Sequence, residues 1–270
     1  MTRSTRPSGP RSGQARSTGS GQGPGDHYSY AAYADPEMAR TFDEKRFGGP
    51  IGELVAGTQA RVLANMIGRI HERDILDVGT GTGRAALLFA RGGAYVTAVD
   101  ASEEMLTIAR QRAQEQRVKV RFQVGDVHAL RFPDRGFDVV VCLRVLMHTP
   151  DWRRSLGELC RLARDRVVFD YPALVSAAAL QAAARHAVHA AGGRVEAYRV
   201  FADRAVAAAL ARNGFRISDR HRQFVLPIAL HKRLNSAAAT ARIEGALARA
   251  GLTRLLGSPV TVVAERCASS

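Results

Sequence analysis

Asp77, Gly79, Gly81 and Gly83 lie within one short stretch, Asp77-Val78-Gly79-Thr80-Gly81-Thr82-Gly83, and a second acid, Asp100, follows at the end of Ala98-Val99-Asp100. Closely spaced glycines let a chain reverse sharply and let a ligand approach bare backbone amides. An acid one strand further on is placed to accept hydrogen bonds from two ribose hydroxyls. Together they describe a nucleoside site. The third glycine comes one residue earlier than in the dinucleotide fingerprint, whose turn cradles a pyrophosphate. Asp77 would repel that pyrophosphate but could receive an ammonium group, so the residues favour a nucleoside bearing a cationic amino-acid moiety.

These residues need particular elements around them. Ile75-Leu76 leads into the turn as a strand, and Ala85 to Ala90 follows as an amphipathic helix. Ala94 to Val99 reads as the second strand. Val120 to Val124 alternates as a third and runs into Gly125-Asp126-Val127-His128-Ala129-Leu130. Phe137 to Cys142 is a fourth strand, and Arg166 to Tyr171 a fifth after a helix over Leu156 to Leu162. Alternating strands and helices of this kind build a parallel sheet with helices on both faces.

In this order the segments resemble the class I S-adenosylmethionine-dependent methyltransferases, with strong matches in 75–172 and a looser resemblance over about 28–267. The first motif of that family has the D-x-G-x-G-x-G form, and its second strand ends in a ribose-binding acid. The resemblance implies an α/β fold: a seven-stranded, mostly parallel Rossmann-like sheet in the order 3-2-1-4-5-7-6, last strand antiparallel, with helices on both faces. It implies S-adenosylmethionine as cofactor. The cofactor-binding residues it implies are Asp77, Gly79, Thr80, Gly81 and Gly83 in the turn, Asp100, Ala101 and Met105 after the second strand, Asp126 and Val127 after the third, and Leu143 after the fourth.

An electrophilic methyl group needs an aligned acceptor and dry surroundings more than strong catalytic groups. His148, just beyond the fourth strand, is the histidine best placed to act as a base; local hydrogen bonding is its other reading. Tyr171 is the second catalytic candidate. It and Asp170 end the fifth strand at the sheet edge where ligands bind, although either could anchor the turn into Pro172. Tyr30, Tyr33 and Arg144 are candidates for the acceptor pocket, and Arg46 could pair with the cofactor carboxylate. Cys142 reads as a small hydrophobe at a strand end. No histidine spacing suggests a metal site, and none is expected. The N-P-P-Y or D-P-P-Y pattern that resembles methylation of exocyclic base amines is absent; that position reads Cys142-Leu143-Arg144-Val145.

Two additions surround this frame. N-terminal helices, about 28–70, either cover the cofactor as a lid or pack their aromatics on the core. After the fifth strand an alanine-rich helix reads from about Ala173 to Ala191, then Val195 to Phe201, another helix to Asn213-Gly214 and a strand from Phe215 to Leu226; some thirty residues between Leu226 and Pro259 then read as helical, an insertion at about 228–257 that could cover an acceptor pocket or, through Ile228 to Leu234 with its apolar residues and cations, meet a lipid interface. Residues 1–25 hold scarcely any apolar side chain and are expected to form a disordered basic tail before a single domain over 26–270. No apolar run follows the tail's arginines as in a secretion signal, and none approaches a membrane span.

The chain carries a net charge of +14, of which Arg3, Arg6, Arg11 and Arg16 lie in the tail. The remainder is spread without interleaved aromatics, so nucleic acid is a disfavoured partner. Only Lys45, Lys119 and Lys232 are lysines, and the arginine and alanine excess fits a GC-rich coding sequence. Three scattered cysteines imply a reducing compartment and a cytoplasmic location is expected, with a peripheral contact with an anionic membrane left open. The expected function is methyl transfer to oxygen or carbon of a small hydrophobic acceptor, resembling the quinone-biosynthesis and secondary-metabolite branch. The alternatives are an RNA or protein methyltransferase and a catalytically silent cofactor-binding partner subunit.

Overall fold

Seven strands, the central ones apolar and buried, fold here into one sheet. The computed structural model describes residues 36–190 and 198–268. Its strands are β1 (Asp74–Val78), β2 (Tyr95–Asp100), β3 (Val120–Val124), β4 (Phe137–Cys142), β5 (Ala163–Tyr171), β6 (Phe215–Phe224) and β7 (Ser258–Arg266). They lie in the order β3-β2-β1-β4-β5-β7-β6. β1 to β5 pair in parallel, and β7 runs antiparallel to both β5 and β6. Order and direction are those the resemblance implies.

The helices among the described residues are α1 (Pro36–Phe47), α2 (Gly49–Ile67), α3 (Arg84–Arg91), α4 (Glu103–Glu115), α5 (Trp152–Leu162), α6 (Ala177–Ala190), α7 (Asp203–Arg212), α8 (Ile228–Leu234), α9 (Ala237–Arg249) and α10 (Leu252–Leu256). Strand periodicity divides the core between the two sheet faces. Ile75, Val139, Val141 and Val168 pack with Leu63, Ile67 and Phe89 on one face. Leu76, Val78, Val140 and Phe169 pack with Leu156, Leu159 and Leu210 on the other. The central strands are thus covered twice.

The chain leaves β1 toward β2 on one side and leaves β4 toward β5 on the other, while β1 and β4 are neighbours. Their carboxyl ends therefore flank the crevice where open α/β sheets bind ligands. Among the described residues no helix is long and apolar enough to cross a membrane.

Element boundaries differ from the sequence reading where side chains capture backbone groups. β6 stops at Phe224 rather than reaching Leu226, because the amides of Val225 and Leu226 donate to the Glu244 carboxylate at 2.8 and 3.0 Å. The alanine-rich helix expected from Ala173 begins at Ala177. Ala173 pairs as a bridge with Phe201, and Ser176 Oγ accepts the amide of Ala178 at 3.1 Å as a helix cap. Between β6 and β7 lie α8, α9 and α10. The tail at 1–25, Tyr30, Tyr33 and Val195 lie outside the described residues.

Candidate active site

The glycine turn is built by close approach on one side and open space on the other. Gly79 has φ 70°, and a Cβ there would lie 2.2 Å from Val145 Cγ2, so the turn rests against the loop after β4. Gly81 has φ 56°, but no atom lies within 4 Å of its Cβ position, which leaves room for a ligand against the backbone. Gly83, at φ 84°, stands as N-cap of α3 and packs on Ala109.

Asp77 holds the turn from beneath. Its Oδ2 accepts from Thr80 Oγ1 at 2.7 Å and from the amide of Ala86 at 3.1 Å, tying β1 to α3. Burial pushes its pKa up to about 6 against these two bonds, and the Asp100 charge adds to the rise. Asp100 Oδ2 accepts the Gly81 amide at 2.7 Å, and Oδ1 accepts the Ser102 amide at 3.0 Å. Its pKa is raised too, by burial, with the amide bonds opposing. Each oxygen keeps a second lone pair for a ligand hydroxyl.

These groups border a cavity of about 190 Å³. The turn contributes Asp77, Gly79, Thr80 and Gly81; the end of β2 and start of α4 contribute Asp100, Ala101 and Met105; Val127, Leu143, Arg144 and His148 come from the loops after β3 and β4. Two residues of the sequence set stand aside from its lining. Gly83 faces α4, and Asp126 Oδ1 is engaged by the amide and ring Nδ1 of His128 at 2.9 and 2.8 Å.

Sequence reasoning missed Arg84, Asp43 and Thr82. Arg84 lines the cavity with its guanidinium 3.5 Å from the ring centroid of Phe47. Its Nη1 is buried and makes no hydrogen bond among the described residues. A buried donor without an acceptor calls for one, and a ligand carboxylate would supply it. Asp43 of α1 accepts from Thr82 Oγ1 and pairs with Arg112 of α4, which fastens α1 onto the turn. Arg84 could have been singled out as the cation directly after the last glycine; Asp43 carries no such signal. Asp77, Asp100 and Arg84 bordering one cavity suit a nucleoside carrying both an ammonium and a carboxylate, as S-adenosylmethionine does.

A second cavity of about 490 Å³ adjoins the first, and Phe42, Arg46, Phe47, Arg144 and His148 border both. Arg144 holds a left-handed φ of 60° at this junction, and its amide donates to Asp170 Oδ1 at 2.5 Å. Asp170 is buried, and burial raises its pKa against the nearby Arg144 charge. His148 is buried, fixed by its amide bond to the Val145 carbonyl at 2.8 Å. Tyr171 borders the second cavity, yet its hydroxyl donates to Asp203 Oδ1 at 2.9 Å; Asp203 in turn accepts from Arg220 and Arg222. Burial and the Asp203 charge push the phenol well above its ordinary range.

The far wall comes from α6 and from the chain entering α8, with Leu226, Pro227, Ile228 and Lys232. Cys142 is buried, and burial raises its thiol well above the ordinary value, which leaves it protonated and inert. Among the described residues no group of histidine, cysteine and carboxylate side chains could hold a metal ion.

Residues 75–166 match a family model described as a methyltransferase domain. The chain is 35% identical over 131 residues to the uncharacterized methyltransferase YcgJ of Bacillus subtilis, covering 47% of each. It is 33% identical over 92 residues to ubiquinone biosynthesis O-methyltransferase of Coxiella burnetii, covering 34% of this chain and 39% of that protein. The chain thus spans less than half the length of these curated relatives. In fold it is similar to magnesium protoporphyrin IX methyltransferase of Synechocystis PCC 6803, solved with bound SAH. That similarity has a TM-score of 0.63 at 17% identity and covers 88% of this chain and 98% of that one. The match to a methyltransferase domain thus covers the segment from β1 into β5.

Proposed function

We propose that this chain is an S-adenosylmethionine-dependent methyltransferase acting on oxygen, or alternatively carbon, of a small apolar molecule. The observation that carries the reading is the joining of two cavities through Phe42, Arg46, Phe47, Arg144 and His148. The smaller cavity, bordered by Asp77 and Asp100, adjoins a larger one to which Phe42, Phe47, Met147, Phe224 and Ile228 contribute apolar lining. The matched methyltransferase segment and the relatives acting on ubiquinone precursors support it.

When bound, S-adenosylmethionine supplies a methyl group made electrophilic by its sulfonium. Asp100, itself held by the Gly81 and Ser102 amides, orients the nucleoside end, and Arg84 holds the carboxylate. Phe42 and Phe47 of α1 keep water from the junction, which strengthens electrostatic interactions there. His148 takes the proton of an attacking hydroxyl. Tyr171, committed to Asp203, supports the wall of the acceptor cavity. A polymeric acceptor would need a flat open face, whereas α6 and the chain entering α8 line a recess here, which favours a small molecule over the RNA or protein reading.

The test is incubation of the full chain with S-adenosylmethionine and a panel of catechols, hydroquinones and hydroxylated aromatic acids, with S-adenosylhomocysteine measured by mass spectrometry. Acceptor-dependent product, abolished by Asp100→Ala, is the expected result. Tight cofactor binding with no turnover on any acceptor would overturn it in favour of a silent partner subunit.

A further inference from the structure

Asp170 is the single carboxylate bordering the acceptor cavity among the described residues, and it is only 3% exposed. It stands next to last in β5, where strand alternation sets its side chain on the sheet face of Val168, opposite Phe169 and Tyr171. Oδ1 accepts the Arg144 amide, which steadies the left-handed loop residue that borders both cavities. Oδ2 accepts no hydrogen bond among the described residues, and packing does not seal it off, so it faces the cavity.

An acid is a costly residue at such a place. One neutral oxygen would serve the Arg144 amide, so the loop by itself does not call for a carboxylate. Burial disfavours the charged form and raises its pKa, with the Arg144 charge and amide opposing. A buried acceptor atom normally meets a donor; the described residues give Oδ2 none, and the cavity is the way in for one. Arg144 already sets a positive charge beside this acid, which a neutral hydroxyl leaves balanced and an ammonium would exceed. A metal ion would need further ligands, and no such group exists among the described residues.

We infer that Asp170 binds the acceptor: its Oδ2 takes a hydrogen bond from a hydroxyl of the small apolar molecule, which selects acceptors that carry this donor over analogues in which it is blocked. The inference rests on the methyl-transfer reading above. A hydroxyl held on Oδ2 ties the ligand to a central strand beside Arg144, and a site on a rigid element positions its ligand more closely than one on a loop. Phe47, Val55 and Met147 border the same cavity and receive the apolar body. An analogue without the donor leaves the buried oxygen unpaired, and a site of that kind discriminates strongly against it.

The test is calorimetric titration of the full chain, saturated with S-adenosylhomocysteine, with 4-propylphenol, 2-naphthol and octan-1-ol, each against its methyl ether. At least one hydroxyl compound is expected to bind about tenfold more tightly than its ether. In Asp170→Asn the amide oxygen keeps the Arg144 bond while Nδ2 replaces Oδ2 and can donate to an ether, so the preference should fall to about twofold or less. The side chain keeps its size, so a preference that survives the variant comes from shape or from another residue and overturns the inference. Ethers that match their alcohols in the wild type, or no binding by any hydroxyl compound, also overturn it. So does octylamine binding more tightly than octan-1-ol, which would make the carboxylate an ammonium site. S-adenosylhomocysteine affinity is the folding control for the variant, and the wild-type comparisons stand without it. Absence of that affinity in the wild type would refute the underlying methyl-transfer reading; its presence without a hydroxyl preference would refute only the role of Asp170.

Discussion

Asp43 in the helix above the cavity accepts a hydrogen bond from Thr82 Oγ1 in the glycine turn below it, at 3.0 Å. The same carboxylate pairs with Arg112 of α4, so one side chain joins the cover, the turn and the helix after β2. Asp43→Ala removes both contacts. Bonds to a charged group contribute about 1.5–3 kcal/mol when buried, and this pair is partly solvated, with side chains 21% and 32% exposed. Weakening of S-adenosylhomocysteine binding by about fivefold to thirtyfold is expected by calorimetry. Faster proteolysis within 36–47 should accompany it. Unaltered affinity would show that α1 does not close the cavity.

Asp100 has two structural bonds to lose besides any ligand. Asp100→Ala frees the Gly81 and Ser102 amides and removes the carboxylate proposed to accept from the ribose. Cofactor binding should weaken by about 1–3 kcal/mol through charge-assisted bonds. Asp100→Asn keeps one acceptor oxygen and should fall between the variant and the wild type. A ligand-independent fall in melting temperature of equal size in both variants would instead assign Asp100 to holding the turn.

Asp77 predicts a pH dependence with a definite sign. Its folded pKa is raised to about 6, above the ordinary 3.8. Between these values the folded state binds more protons than the unfolded one, so stability falls as pH rises from about 4 to 6. The penalty from this residue is on the order of 3 kcal/mol above that window. An ammonium-bearing ligand favours the ionised carboxylate, so cofactor affinity should rise over the same range. Asp77→Asn should stabilise the unliganded protein at neutral pH and flatten the affinity profile. Thermal melts and titrations at pH 5 and 7.5 check both signs.

What the sequence made legible is what sits close together along the chain. Strand periodicity, the three glycines and Asp100 are local signals; they placed the sheet, and Gly79, Gly81 and Asp100 border one cavity. Asp43 with Thr82, Phe47 with Arg84 and Lys45 with Lys232 were not legible, because each pair joins distant segments whose approach depends on how α1 and α8 pack. Asp126 shows the opposite case. Its bond to the amide two residues on is a turn that aspartate commonly makes, and it competes with the ligand role the resemblance implies. The end of β6 could not be read either, since Glu244, far along the chain, takes its next two amides.

Glu244 is the anchor of the acceptor wall. Besides those amides it bonds the ring Nε2 of His231, which is fully buried, at 2.8 Å; Thr240 Oγ1 meets the other ring nitrogen at 3.2 Å. Glu244→Ala would leave a buried imidazole and two amides without their acceptor. A loss of about 3 kcal/mol is expected, visible as a fall of several degrees in melting temperature. The Michaelis constant for the acceptor should rise while cofactor affinity stays within about threefold, because Leu226 and Ile228 wall only the acceptor cavity. Equal losses for acceptor and cofactor would show that the network stabilises the fold without shaping the wall.

His148 and Tyr171 separate by the same logic of committed partners. The Tyr171 hydroxyl is already a donor to Asp203, and its raised pKa makes the phenolate inaccessible at neutral pH. Tyr171→Phe should therefore cost about 1–2 kcal/mol of stability and leave kcat nearly unchanged. The His148 ring borders both cavities at their junction. His148→Asn should lower kcat by about 10²-fold to 10⁴-fold for a hydroxyl acceptor, with cofactor affinity within about threefold of wild type. Partial rescue by added imidazole would tie the loss to proton transfer. An unchanged kcat would make His148 a packing residue and leave an acceptor that ionises without a base.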